Sequence, residues 1–219
     1  MKKKEKNVDE LKEELFERYP SLGSCRDDFQ KAFECLRASY MSGGKLLVAG
    51  NGGSAADSEH IVGELMKSFL FNRQINKDIE TNLCDLFGEE GEKLAGKMEG
   101  ALPALPLTSM PALTSAFAND VDAAVSFAQM LYGYANKGDV FLGISTSGNS
   151  KNIIYALMVA KAKGIPTIAL AGGNGGKCRE LADITICVPE NETFKIQELH
   201  LPIYHALCSM LEAEFFEER

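Results

Sequence analysis

His60 and Glu64 stand four residues apart, and the other two histidines, His200 and His205, lie close together near the carboxyl end of the chain. On a helix this spacing places His60 and Glu64 on one face, where they can grip a metal ion or work as an acid/base pair. Two further stretches carry residue types suited to an anion. Gly50-Asn51-Gly52-Gly53-Ser54 joins the apolar run Leu46 to Ala49 to a helical pattern. Ser145-Thr146-Ser147-Gly148-Asn149-Ser150 joins the apolar run from Asp139 to Ile144 to a second helical pattern at 151–163.

Glycine lets the backbone turn sharply and approach a ligand, and the first turn of a helix presents unpaired N–H groups at the positive end of its dipole. A helix cap needs one hydroxyl, so the four hydroxyls of Ser145, Thr146, Ser147 and Ser150 point to a phosphate site. Taken singly, each feature also has a plainer reading. Glycine turns follow strands throughout α/β proteins, and an i,i+4 His/Glu pair is often a solvated helix face.

The elements that would position these residues alternate. Apolar runs at 46–49, 105–116, 139–144, 166–170 and 184–188 read as strands, and 121–136, 151–163 and 192–216 read as helices. Near-continuous apolar strands separated by helices indicate an α/β fold, an open parallel sheet covered by helices on both faces in three layers. Ligands of such sheets sit at the carboxyl ends of the strands, where the glycine turn and the serine-rich turn must both lie. Asn119 or Asp120 is placed to cap the helix at 121–136. Ahead of the sheet, 7–19 and 25–41 form a helical arm whose apolar stripe packs on a partner subunit or on its own domain. The polar stretch 72–104, with a short helix at 92–99, reads as a surface excursion or lid. Pro202 should kink or interrupt the last helix.

The chain has 219 residues, enough for one domain with appendages. Its net charge of −8 argues against a nucleic-acid surface or an anionic membrane, although backbone N–H groups and hydroxyls can still hold a small anion. Met1-Lys2-Lys3-Lys4 resembles the start of a signal peptide, but the charged stretch Glu5 to Glu17 follows where an apolar segment is required, so neither export nor a membrane span is expected. Six scattered cysteines without a close CxxC pair fit reduced thiols in a cytoplasm.

Four motifs in order, Gly50-Asn51-Gly52-Gly53-Ser54 with His60 and Glu64, Ala118-Asn119-Asp120, Ser145 to Ser150, and Ile196-Gln197-Glu198-Leu199-His200 followed by His205, make the chain resemble the phosphoheptose isomerases of the sugar isomerase (SIS) fold. The resemblance runs from about residue 8 to the end. It implies an N-terminal helical oligomerisation arm over 1–42 and a sugar-phosphate-binding domain over 43–219, with the surface insertion at about 72–104. It implies that Asn51, Gly52, Gly53 and Ser54 contact the sugar phosphate, that Ser145, Thr146, Ser147 and Ser150 hold its phosphate, and that Asn119 and Asp120 meet sugar hydroxyls. His60, Glu64, Gln197 and His205 match a metal set, usually zinc, with Glu64 and Gln197 also facing substrate and Glu64 and His205 as the acid/base residues. The implied reaction converts sedoheptulose 7-phosphate to D-glycero-D-manno-heptose 7-phosphate through an enediolate, in a cytoplasmic homotetramer with sites at subunit contacts. Its implied setting is the bacterial supply of activated heptose for envelope lipopolysaccharide.

Two features depart from the family pattern. The stretch between Glu64 and Asn119 is longer than expected, and Pro202 could re-aim His205, with His200, otherwise structural, as the fallback. The rival readings are a non-catalytic regulatory relative, such as the bacterial initiator-associating protein of replication, and an isomerase or etherase of another sugar phosphate. Glu64 favours an enzyme over the first, and the His60, Glu64, Gln197 and His205 set argues against the second.

Overall fold

The computed structural model describes residues 7–216; the basic start Met1 to Lys4 lies outside them. Side chains alternate across a strand, and here the alternation sorts the core into two layers. Leu46 and Val48 of β1 (Leu46–Ala49) face one cluster, while Leu47 and Ala49 face the other. The same division holds in β3 (Val140–Ile144) and β4 (Thr167–Gly172), with Leu142 and Ile168 on the first side and Phe141 and Ala169 on the second. With β2 (Ala104–Pro106) and β5 (Ile184–Val188) these form a five-stranded parallel sheet, ordered β2-β1-β3-β4-β5.

One face is covered by α1 (Val8–Arg18), α2 (Arg26–Met41), α3 (Gly53–Met66) and α9 (Thr193–Phe215). Of the two packings open to the N-terminal arm, the structure shows the second: Leu11, Leu15, Phe29, Phe33 and Leu36 are buried in the protomer's own core. Burying each such side chain contributes about 1.5–3 kcal/mol. The other face carries α6 (Ser126–Tyr134), α7 (Lys151–Ala162) and α8 (Gly176–Leu181).

Five expectations are corrected. The apolar run 105–116 is not a strand: β2 is a three-residue edge strand, and α5 (Pro111–Asp120) follows with Pro111 in its first turn, where a missing N–H costs nothing. Asn119 and Asp120 therefore end α5 and do not cap the next helix. The stretch 121–136 divides into a 3-10 turn at Ala123–Val125, capped by Asp122, and α6. The excursion 72–104 holds a long helix, α4 (Lys77–Ala95), capped by Asn76 and bent at Gly88, whose φ of 55° suits glycine alone. That helix takes in the first half of the expected 92–99 segment, and Arg73 and Leu102 on its flanks are buried. Finally, α9 runs unbroken through Pro202. The proline deprives only the carbonyl of Glu198 of its helical partner, and Glu198 is exposed to water.

Candidate active site

The carboxyl ends of β1 and β3 open into the glycine turn and the serine-rich turn, as the parallel sheet requires. Gly52 has φ 55° and ψ −121°, a conformation that lets the chain reverse directly into α3. A Cβ on Gly53 would stand 2.6 Å from Gln197 Nε2, so the bare backbone is what admits that amide. Gln197 and His205 lie on α9 as Gly53 and His60 lie on α3, and the two helices run side by side in the same direction.

Asn51 and Asn152 exchange amide hydrogen bonds of 3.0 and 2.7 Å, which tie the glycine turn to the start of α7. In the serine-rich turn, Ser145 Oγ donates to Ser150 Oγ at 2.9 Å and accepts from the Ser150 N–H at 3.3 Å. Ser147 Oγ accepts from the Asn149 N–H. Ser150 is the N-cap of α7 but makes no side-chain cap bond, so the hydroxyls are not consumed in capping. Gly148, at φ 65°, packs against the Gly175 carbonyl, where a Cβ would come within 1.9 Å. Beside this turn is an open cavity of about 390 Å3, lined among others by Thr146, Ser147, Gly173, Asn174, Glu190 and Asn191. The sequence marked the second glycine turn but carried no signal for Glu190 or Asn191.

At the other end of α3 the reactive side chains gather. His60 Nε2 stands 3.2 Å from Glu64 Oε1 and 3.5 Å from His205 Nε2, so His205 does point into the site despite Pro202. Glu64 is buried, and its second oxygen accepts from Lys67 Nζ at 3.0 Å. His60 Nδ1 meets the Tyr204 hydroxyl at 3.1 Å, and that hydroxyl donates to Asp57 Oδ1 at 3.2 Å. Burial, followed by the unfavourable crowding of a second charge beside the His60 ring, lowers the His205 pKa, so its imidazole is neutral near pH 7. Lys67, Asp57 and Tyr204 were not legible in the sequence. His200, completely buried, is outside this cluster.

Tetrahedral zinc with bonds of about 2.0–2.1 Å sets neighbouring donor atoms about 3.4 Å apart. The two separations measured from His60 Nε2 match such edges. Among the described residues no complete group of three His, Cys, Asp or Glu donors is closed around a point, so the fit is pairwise. Gln197 lies two helical turns before His205, against the glycine turn. Asn119 and Asp120 are exposed at the end of α5, hydrogen-bonded to each other at 2.7 Å and not drawn into the cluster. Ser54 is buried in the first turn of α3.

The parallel sheet with glycine- and serine-rich turns at its carboxyl edge defines the SIS class, and an SIS domain match spans residues 110–213. The phosphoheptose isomerase of Burkholderia pseudomallei is 38% identical over 85% of this chain and 82% of that protein. Among solved structures, a phosphoheptose isomerase from Francisella tularensis aligns with a TM-score of 0.72 and 27% identity over 89% of this chain and 90% of that one. The Neisseria gonorrhoeae enzyme aligns with a TM-score of 0.66 and 31% identity over 84% and 86%. The chain belongs to the phosphoheptose isomerase family.

Proposed function

We propose that this protein is a ketose–aldose isomerase interconverting sedoheptulose 7-phosphate and D-glycero-D-manno-heptose 7-phosphate. Family membership supports the reaction, and the observation that carries it is the buried Glu64 carboxylate set between Lys67 and His60, with His205 alongside. Isomerisation moves a proton from C1 to C2 of the sugar through an enediolate. Glu64 takes the C1 proton and, as the acid so formed, returns it at C2. His205, neutral at rest, shuttles the hydroxyl proton between O1 and O2. Thr146 and Ser147, with Ser145 and Ser150 shaping their turn, hold the phosphate, aided by the N-terminus of α7. Zinc held by His60, Glu64 and His205, with Gln197 as the fourth donor of the set, would supply positive charge for the developing oxyanion.

The same reading extends to assembly. In a single protomer α5 buries none of its residues, and α4 exposes Leu86 and Phe87 at 73% and 63%. Other copies covering these faces, in a homotetramer, would give α5 the means to bring Asn119 and Asp120 to a neighbour's substrate. The N-terminal segment 1–42, whose apolar stripe packs on the protomer's own core, and the excursion at 72–104 would then add contacts to the assembly, and 43–219 forms the sugar-phosphate domain. A cytoplasmic location is proposed with it. The described residues contain no helix long and apolar enough to cross a membrane.

A carbon NMR time course of sedoheptulose 7-phosphate in deuterated buffer, with and without zinc, tests the reaction. An aldose C1 signal should appear with the protein, and Glu64→Gln should slow it about 10²- to 10⁴-fold. A ketose that persists without C1 exchange would sink the assignment.

A further inference from the structure

Tyr204, Asp57 and His60 form a short line of hydrogen bonds whose proton count is fully determined. A phenol has one proton and a carboxylate has none to give. The Tyr204 hydroxyl stands 3.2 Å from Asp57 Oδ1 and donates to it. It can therefore only accept at its other contact, the 3.1 Å approach of His60 Nδ1. That nitrogen must carry the proton. In a neutral imidazole the proton on Nδ1 leaves a lone pair on Nε2.

The consequence falls at the reacting end of the ring. His60 Nε2, so deprotonated, faces Glu64 Oε1 at 3.2 Å and His205 Nε2 at 3.5 Å. Two electron-pair donors thus confront each other across the His60–Glu64 edge, an arrangement that calls for a cation or a transferable proton between them. The ring is also held by packing: His60 lies edge-on to Tyr204 with centroids 5.5 Å apart and to His205 at 4.9 Å. Tyr204 itself is 2% exposed and cannot swing away.

We infer that Tyr204 and Asp57 are positioning residues, which fix His60 as its Nδ1–H tautomer and turn the Nε2 lone pair toward Glu64 and His205, a role that rests on the isomerase reading of the site. Neither residue touches the substrate in this assignment. Each acts through the imidazole, as the outer partners of ligating histidines do.

Long-range proton–nitrogen NMR of histidine-labelled, metal-free protein at pH 8 reads the tautomer directly, with His60→Gln assigning the signals. The His60 ring should carry its proton on Nδ1. Tyr204→Phe removes one oxygen from a packed ring and should mix the tautomers, weaken zinc binding about 10- to 100-fold in a competition titration, and lower kcat with little change in KM or Tm. Asp57→Ala, at a half-buried surface position, should shift the tautomer in the same direction and gives an independent reading if the phenylalanine variant folds poorly. An Nε2–H tautomer in the unaltered protein, or a Tyr204→Phe protein with unchanged tautomer and zinc affinity, overturns the inference. Because the tautomer is read without substrate, a protein that shows the Nδ1–H form yet isomerises nothing refutes the isomerase reading and leaves the relay standing.

Discussion

Arg73 Nη2 donates to the main-chain oxygen of Glu64 across 2.8 Å, so a buried cation outside α3 fixes the backbone of the residue assigned as base. Its Nη1 does the same for Leu65 at 2.7 Å, satisfying carbonyls that the end of α3 would leave orphaned. The charge is balanced by Glu212, also fully buried, whose Oε1 accepts from Arg73 Nε at 2.7 Å while the carboxylate takes the N–H groups of Phe69 and Leu70. Removing one member of such a pair leaves an unpaired buried charge and costs about 3–5 kcal/mol. Arg73→Met should therefore lower Tm by about 6–20 °C in calorimetry at fixed protein concentration. An unchanged Tm would mean that the clamp is dispensable.

How much of this was legible depended on whether a residue's role was local. Leu46 to Ala49, Asp139 to Ile144 and the other buried strands announce themselves as apolar runs, and the glycine and hydroxyl turns follow them in sequence as they do in space. The run 105–116 misled because its apolar residues suit a strand or a helix equally; Pro111 at a helix start was the unused sign. Helix α4 was masked by Gly88 and Gly91, although Asn76 with Asp78 and Glu80 marks a cap and an acidic first turn. Nothing local says that Arg73 is buried, or that Tyr204 meets Asp57 across 147 positions. Those roles come from long-range pairing alone.

The serine-rich turn separates binding from architecture. Ser145 is buried and bonded to Ser150, whereas Thr146 lines the cavity. Thr146→Val keeps the shape and removes only a hydroxyl. A hydrogen bond to a charged group contributes about 1.5–3 kcal/mol, so KM should rise about 10- to 100-fold with kcat nearly constant. Steady-state kinetics over a wide substrate range would show it, and an unaltered KM would remove Thr146 from the phosphate site.

His200 sets an acid limit on the fold. Burial lowers its pKa from the ordinary 6.5 to about 4; neither ring nitrogen makes a hydrogen bond of good geometry, and the nearby main chain of Ala171 offsets the shift only in part. The folded state therefore favours the neutral ring. Its contribution is fully present above pH 6.5 and is lost as pH falls toward 4, when unfolding takes up a proton. The difference in pKa corresponds to about 3 kcal/mol. Urea melts from pH 7 to pH 4 should show a steeper loss in the unaltered protein than in His200→Phe. Parallel curves would mean that other groups govern acid unfolding.

Gly53 allows stability and chemistry to be pulled apart. It opens α3 without a positive φ, so alanine there satisfies the helix and gains about 0.5–1 kcal/mol from the unfolded state. The new methyl, however, would occupy the place of the Gln197 amide, 2.6 Å from Nε2 and 3.1 Å from Cδ, and a flexible side chain will yield before the backbone does. Gly53→Ala should thus keep or slightly raise Tm while kcat/KM falls at least about 10-fold, since one hydrogen bond to a charged or reacting group is lost with Gln197. Gly148→Ala makes the contrast: with φ at 65° and the Gly175 carbonyl 1.9 Å from the added carbon, both Tm and activity should fall. If Gly53→Ala is as active as the unaltered protein, Gln197 is not part of the reacting centre, and the fourth donor must come from elsewhere.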